Sequence, residues 1–257
     1  MLIALTRPVS PHLGDCELTY LPREPIDVAR AMAQHAAYCA ALRACGVAVR
    51  SLPAAPDLPD AVFVEDTAVV LDELAVRTRP GAPSRRPEVP TVTAALAAYR
   101  PLATVVAPGT LDGGDVLQLG RLLFVGRSGR SNAAGIAQLA AILAPYGYTV
   151  RGVDLSGCLH LKSAVTALDA ETILVNAAWV NPAVFGARQV LPVPLEEPWA
   201  ANALAIDDRV LLAAGNPRSA ALVTAAGYAV TLLDISELQK AEAALTCQSL
   251  LFPATPG

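Results

Sequence analysis

The chain repeats one supersecondary unit, and that repetition restricts its fold more than any other property. Four segments read as β-hairpins, each an apolar run, a polar turn and a second apolar run: 62–79, 115–128, 163–179 and 201–216. Their turns fall at Asp72-Glu73, Gly120-Arg121, Asp169-Ala170-Glu171 and Asp207-Asp208, residues suited to tight reversal. Helix-like sequence and then a further apolar strand separate the hairpins. Residues 91–99 precede LATVVA, 132–143 precede YTVRGVDL, and 218–226 precede YAVTLLDI. Near the start, an Ala-rich helix over 26–45 leads to VAVRSLP, with Pro25 before it and Gly46 after it. The unit is ββαβ, recurring at roughly 40–50 residues.

One such unit cannot bury its own apolar face, so repetition predicts a radial or stacked architecture. The strand LIALT lacks a preceding hairpin partner, and SLLFP lacks a following helix. Joining them completes a fifth unit and closes a ring, as in propellers. No Ser- or Gly-rich linker interrupts the pattern, so one α/β domain is expected over 1–257.

Composition narrows the function. Hydrophobic residues make up 54% and charged residues 16%, which excludes a disordered chain. With aromatics at 5%, the core must come from Ala, Val and Leu. A net charge of −4 argues against nucleic acid, and with only Lys162 and Lys240 as lysines and scattered arginines no basic patch forms. The longest weakly charged stretch, 131–150, contains Asn132, Gln138, Pro145 and two glycines, which suits a buried helix and loop and not a bilayer span. The first apolar run is broken by Arg7 and Pro8, too short for a secretory signal, so a soluble cytoplasmic protein is expected. Five cysteines at irregular spacing read as reduced thiols, and no paired Cys or His spacing supports a structural zinc site.

Polar groups interrupt the apolar runs at a few places. Glu65 and Asp66 break FVEDTAVV; two adjacent acids in a strand cannot both face solvent, so one is expected to turn inward and find a cation. In TLDGGDVL, two glycines let the backbone turn sharply between Asp112 and Asp115. His160 lies in GCLHLKSAV before a hairpin, and Cys247 in LTCQSLLF at the start of the final strand. Cys39 and Cys45, on the Ala-rich helix, suit a packed role, as do His12 and His35; Cys16 and Cys158 stay open. A ring gathers the start of each hairpin at one end of its axis, so Asp66, Asp112, His160 and Cys247 converge there. They supply a nucleophile, an acid/base and a cage for a cation.

The motifs FVEDT, LDGGDVL, GRSGRSN, CLHLKS and ALTCQSLLF, in that order, resemble the dimethylarginine dimethylaminohydrolases. That family belongs to the guanidino-group-modifying superfamily, with arginine deiminases and amidinotransferases. The resemblance covers essentially the whole chain and implies a five-fold pseudosymmetric α/β propeller of ββαβ units. It implies hydrolysis of methylated arginine to citrulline without a cofactor or metal, by a monomer or homodimer. Cys247 matches the nucleophile and His160 the general acid/base. Asp66, with Asp112 as a second acid, matches the groups that hold the guanidinium. Arg85 and Arg130 match arginines for the substrate carboxylate, with Arg86 an alternative to Arg85. Leu18, Asp60, Glu65 and Ala241 match positions around the substrate's amino-acid end or the catalytic loop, and residues 14–20 resemble a mobile lid.

Arginine deiminase is the nearest alternative. Its family carries an extra helical domain and a His-x-Asp motif, where this chain has His160-Leu161-Lys162. An acid at that position would demand hydrogen bonds that a dimethylated nitrogen cannot supply. A non-catalytic binding propeller is the alternative of a different class.

Overall fold

A computed structural model of the chain describes residues 1–255; Pro256 and Gly257, the last positions of the expected domain, lie outside the described residues. Strands β1 (Leu2–Thr6) and β2 (Ala48–Ser51) come first. Then follow β3 (Ala68–Val70), β4 (Ala75–Arg77) and β5 (Leu102–Thr104) as one sheet, and β6 (Val116–Leu119), β7 (Leu122–Gly126) and β8 (Thr149–Val153) as the next. The third joins β9 (Val165–Ala167), β10 (Thr172–Val175) and β11 (Gln189–Pro192), the fourth β12 (Leu204–Ile206), β13 (Arg209–Ala213) and β14 (Ala229–Leu233). Finally β15 (Leu250–Pro253) returns to β1, so the fifth sheet runs β15-β1-β2. In every sheet the first two strands are antiparallel and the outer strand is parallel to the middle one. The expected ring closure is present: Leu2 pairs with Pro253 and Leu5 with Leu250.

Side-chain alternation explains why five sheets are needed. Successive residues of a strand point to opposite faces. On β7, Leu123 and Val125 join one apolar cluster while Phe124 joins the next. On β10, Ile173 and Val175 face one way and Leu174 the other; on β13, Val210 and Leu212 oppose Leu211 and Ala213. On β1, Ile3 and Leu5 oppose Ala4. Each middle strand therefore feeds two cores, each core lies between two sheets, and the ring must close before any sheet is covered on both faces.

Helices α1 (Val28–Ala44) and α3 (Ala133–Leu143) lie within the expected helical stretches, and α2 (Val89–Leu96) begins two residues before the expected 91–99 and ends three residues short of it; α4 (Leu161–Ala164) is a single turn. Helix α5 (Pro217–Ala225) follows, and α6 (Ser236–Gln239) is again one turn. Asp27 caps α1 by accepting from the Arg30 N–H at 3.0 Å, and Asn132 caps α3 by accepting from Gly135 at 2.8 Å. The third sheet departs from the repeat. Between β10 and β11 the chain makes only a 3-10 turn, Pro182–Phe185, because Pro182 and the left-handed Gly186 bracket too short a segment for a helix. Phe185 fills the gap by packing edge-on against Phe124, ring centroids 5.0 Å apart.

A second repeat was not legible. A short helical turn sits before each innermost strand: Val64–Thr67 before β3, Gly113–Asp115 before β6, Leu161–Ala164 before β9, Pro198–Ala201 before β12 and Thr246–Gln248 before β15. FVEDT is thus a 3-10 turn and not the hairpin strand expected, and Cys247 precedes the final strand.

Candidate active site

Four of these five turns carry or flank the predicted chemistry, and they meet at one end of the ring axis. Because FVEDT is helical, its adjacent acids diverge and both are buried, 6% exposed for Glu65 and 3% for Asp66. The expectation that one acid turns inward to a cation is therefore corrected: both do. Asp66 forms an ion pair with Arg85 and lies 3.8 Å from His160 Nδ1. Glu65 points the other way, to Lys162 Nζ and to the Thr246 hydroxyl at 2.8 Å.

The two glycines of LDGGDVL provide room, not a left-handed turn. A Cβ on Gly113 would lie 2.0 Å from the Glu65 carbonyl oxygen. One on Gly114 would lie 2.7 Å from both Asp66 Oδ1 and His160 Nδ1. With no side chain in the way, the Gly114 N–H donates to Asp66 Oδ1 at 2.9 Å. The flanking acids organise the neighbouring motifs. Asp115 accepts from the Ser128 and Ser131 hydroxyls and from the Leu161 N–H, tying GRSGRSN to CLHLKS. Asp112 accepts from the Gly81 N–H at 2.8 Å and sits 3.1 Å from His160 Nε2.

A small cavity of about 20 Å³ lies above this layer, lined by Asp60, Asp66, Arg85, Arg130, His160, Ala241 and Cys247. Seven of the ten predicted residues therefore meet. Glu17, Phe63, Leu159, Glu242 and Ala243 also line it and carried no motif signal beyond their neighbours. Asp112 does not reach the cavity: it is fully buried behind the imidazole, so its expected grip on a guanidinium is corrected to one on His160. Glu65 is likewise turned away, toward a separate cavity on the ring axis. Leu18 packs against the apolar cluster that contains Phe63 and Ala241, without lining the cavity itself. Of the adjacent arginines, Arg85 is the one in the cavity wall; Arg86 bonds the Pro80 carbonyl and borders a different cavity. Arg85 is nevertheless occupied. Its Nε and Nη2 take both oxygens of Glu88 at 3.1 and 2.9 Å, and Nη1 holds Asp66. This reach-back to Glu88 was invisible in the sequence, because the two residues meet only when Pro83–Glu88 coils into a 3-10 turn.

The cavity's electrostatics follow from that packing. Burial opposes a charge on His160, but Asp66, Asp115 and Asp112 outweigh it and raise the imidazole to about 9. Burial likewise opposes an anionic Asp66, yet His160 and Arg85 hold its carboxyl near 2. The Cys247 thiol is pushed up to about 12 by burial and by the Glu65 and Asp66 carboxylates; the Ala244 N–H, 3.4 Å from Sγ, and the Lys162 charge favour the anion but do not offset them. Arg130 Nη2 reaches Thr19 Oγ1 at 3.4 Å, while Nη1 is buried and has no hydrogen-bond partner. Asp66, Asp112 and His160 offer ligand atoms within 4.8 Å of one another, and in this structure Asp66 and Asp112 serve instead as partners of Arg85 and His160.

The turn that carries Cys247 is held from behind by helix α1. His35 Nδ1 lies 3.0 Å from Gln248 Oε1, and Tyr38 Oη 2.7 Å from Ser249 Oγ. Gln248 Nε2 in turn donates to the Ala244 carbonyl at 3.3 Å, so His35 is more than a packed histidine.

A thiol, an imidazolium and acidic walls at the end of a five-sheet ring define a guanidino-group-modifying enzyme of the cysteine type. No protein-family model matches the chain. It is 44% identical over 249 residues to N(G),N(G)-dimethylarginine dimethylaminohydrolase of Streptomyces coelicolor, covering 96% of this chain and 95% of that one. It is 36% identical over 228 residues to the enzyme of the same name from Pseudomonas aeruginosa, covering 88% and 90%. A solved structure of the Pseudomonas aeruginosa protein, a Cys-to-Ser mutant complexed with citrulline, superposes with a TM-score of 0.92 at 33% identity, covering 97% and 98%. The chain belongs to the dimethylarginine dimethylaminohydrolase family.

Proposed function

We propose that the protein hydrolyses Nω-methylated L-arginines to L-citrulline and a methylamine, with Cys247 as nucleophile and His160 as general acid and base. The observation that carries this is the enclosure of both groups in one cavity whose walls suit a methylarginine along its length. Asp66 supplies a carboxylate near the reacting end, and Asp60 with Arg130 an acid and a base for the α-amino and α-carboxylate groups. Arg130 Nη1 is a buried donor that makes no hydrogen bond and has only the Asp112 carboxylate 3.8 Å away, so an anionic ligand would complete its bonding. Arg85 acts by fixing Asp66, and Asp112 and Asp115 by keeping His160 charged. Two relatives that share most of this chain's length carry the same activity in their names.

In the resting protein the thiol is neutral and the imidazole protonated. A guanidinium entering beside Asp66 brings a positive charge to Sγ and lowers the thiol's pKa, so that substrate promotes its own attack. The thiol releases its proton to solvent as the thiolate adds to the guanidino carbon, and the imidazolium gives its proton to the leaving nitrogen as the C–N bond breaks. The remaining S-alkylthiouronium is attacked by water, which loses one proton to neutral His160. Collapse of the adduct expels the thiolate, and the adduct's hydroxyl proton is lost as citrulline forms and the thiol is protonated again. Lys162, where an arginine deiminase would place an acid, is drawn away to Glu65, which leaves the departing nitrogen without a carboxylate that methyl groups could not satisfy.

Residues 1–257 act in this reading as one unit that takes a small-molecule substrate, as a monomer or homodimer. All five cysteines are free, in keeping with a cytoplasmic enzyme, and among the described residues no helix is long and apolar enough to cross a membrane. A citrulline assay with arginine and its monomethyl and dimethyl forms tests the reading. Turnover of the methylated forms, lost at least about a thousandfold in Cys247→Ser, is expected. Turnover confined to arginine, or unchanged in that variant, overturns it. Thiolate absorbance should be absent near neutral pH and rise when an inert guanidinium ligand binds; a full signal in the free enzyme would exclude substrate-promoted ionisation.

A further inference from the structure

We propose that Glu242 is a positioning residue, a latch that holds residues 17–21 over the cavity and couples their closure to placement of the nucleophile. The proposal builds on the reaction assigned above. Its carboxylate accepts from three consecutive main-chain N–H groups, those of Thr19 at 2.9 Å, Tyr20, and Leu21 at 2.5 Å. Successive amides converging on one anion form a nest, an arrangement that holds negative charge strongly. The strap they belong to has no strand or helix of its own to fix it.

The backbone at Glu242 is equally unusual. Its φ is +56°, and it shares the left-handed region with only one other non-glycine among the described residues, the hairpin-turn Asp207. A side chain there is disfavoured unless its surroundings compensate. The latch is that compensation. The same conformation sets Ala241 and Ala243 into the cavity wall and leads into Ala244, whose N–H donates to Cys247 Sγ. Release of the strap therefore removes what keeps Glu242 left-handed, and with it the contact on the sulfur.

The strap's other ties go to groups the substrate needs. The Glu17 N–H donates to the Asp60 carboxylate at 3.1 Å, and Arg130 Nη2 reaches Thr19. An amino acid bound to Asp60 and Arg130 competes with both, whereas Glu242 holds the strap without involving the substrate. The cavity beneath, about 20 Å³, holds hardly one water. Substrate entry and product exit thus require the strap to lift, and Glu242 sets how often it does.

The test uses two variants of the full chain. Glu242→Gly keeps the left-handed backbone without strain and removes the latch; Glu242→Gln keeps the reach but offers a neutral oxygen. Iodoacetamide alkylation of Cys247 without substrate, corrected with Cys247→Ser, should be about tenfold or more faster in the glycine variant and intermediate in the glutamine variant. Acrylamide quenching of Trp199, which shares a cavity of about 190 Å³ with Leu21 and Glu242, should rise in parallel. KM should rise several-fold more than kcat falls, with the melting temperature unchanged. Parental alkylation and quenching in the glycine variant would overturn the latch, as would equal alkylation in both variants. Neither readout involves turnover, so a protein inactive on methylarginines would defeat the functional reading while still reporting on Glu242.

Discussion

Two cavities lie on the ring axis, one on each side of the buried Glu65–Lys162 pair, and they differ in nearly every respect. The axial one is larger, about 250 Å³, and is lined mainly by Ala, Val and Leu from β3, β6, β9, β12 and β15. The site cavity is less than a tenth of that volume, yet it is lined by the thiol, the imidazole, four acids and two arginines. Size does not locate the chemistry here. What does is the position along each repeat. The inner strands present small side chains to the axis, while the helical turns before them, free of ladder constraints, aim longer polar groups at a common point.

The largest effect should come from removing the charge that organises the site end. Asp66→Asn leaves Arg85 and His160 buried without their shared anion, and should cost about 3–5 kcal/mol of unfolding free energy by urea titration. Citrulline formation should fall with it. If stability were unchanged, the site end would be no more electrostatically built than the axial end. Breaking the partition comes next. Lys162→Met strands the Glu65 carboxylate and should cost about 3 kcal/mol, most of it recovered when Glu65→Gln is added. Failure of the second substitution to recover stability would mean that Lys162 acts by packing.

A pH titration separates the ends further. His160 is raised from its ordinary value to about 9, so its contribution is fully present below about pH 6.5 and lost as pH rises through 9. That difference corresponds to about 3 kcal/mol. The melting temperature should fall over that interval, and His160→Asn should flatten the slope. The smallest effect belongs to the axial cavity: Gln118→Leu should change stability by less than about 0.5 kcal/mol and turnover by less than about twofold. A large loss of turnover there would erase the contrast.

The fold was legible because the ring is written in local periodicity. Hairpin turns, helix caps and the unpaired first and last strands each speak through neighbouring residues. The site was legible only in part, for a related reason. Cys247, His160 and Asp66 stand in recognisable motifs, but the partners that give them their properties lie far along the chain. Asp112 was read as a substrate ligand because acids near glycines look alike whether they face a cavity or the back of an imidazole. Glu65 and Asp66 looked like strand residues competing for one side, because a four-residue 3-10 turn has no periodic signature. Glu88 and Glu242 act through contacts that no local pattern marks, those of Glu242 spanning more than two hundred positions to the strap.

The sheet that follows the nucleophile draws on both ends of the chain, β1 at residues 2–6 and β15 at 250–253, stitched further by the Ala254 N–H to the Met1 carbonyl. During synthesis β1 must therefore wait, uncovered on one edge, until β15 emerges. A polypeptide cut short of that strand leaves Ile3 and Leu5 without Leu250 and Phe252, so the ring stays open in incomplete copies.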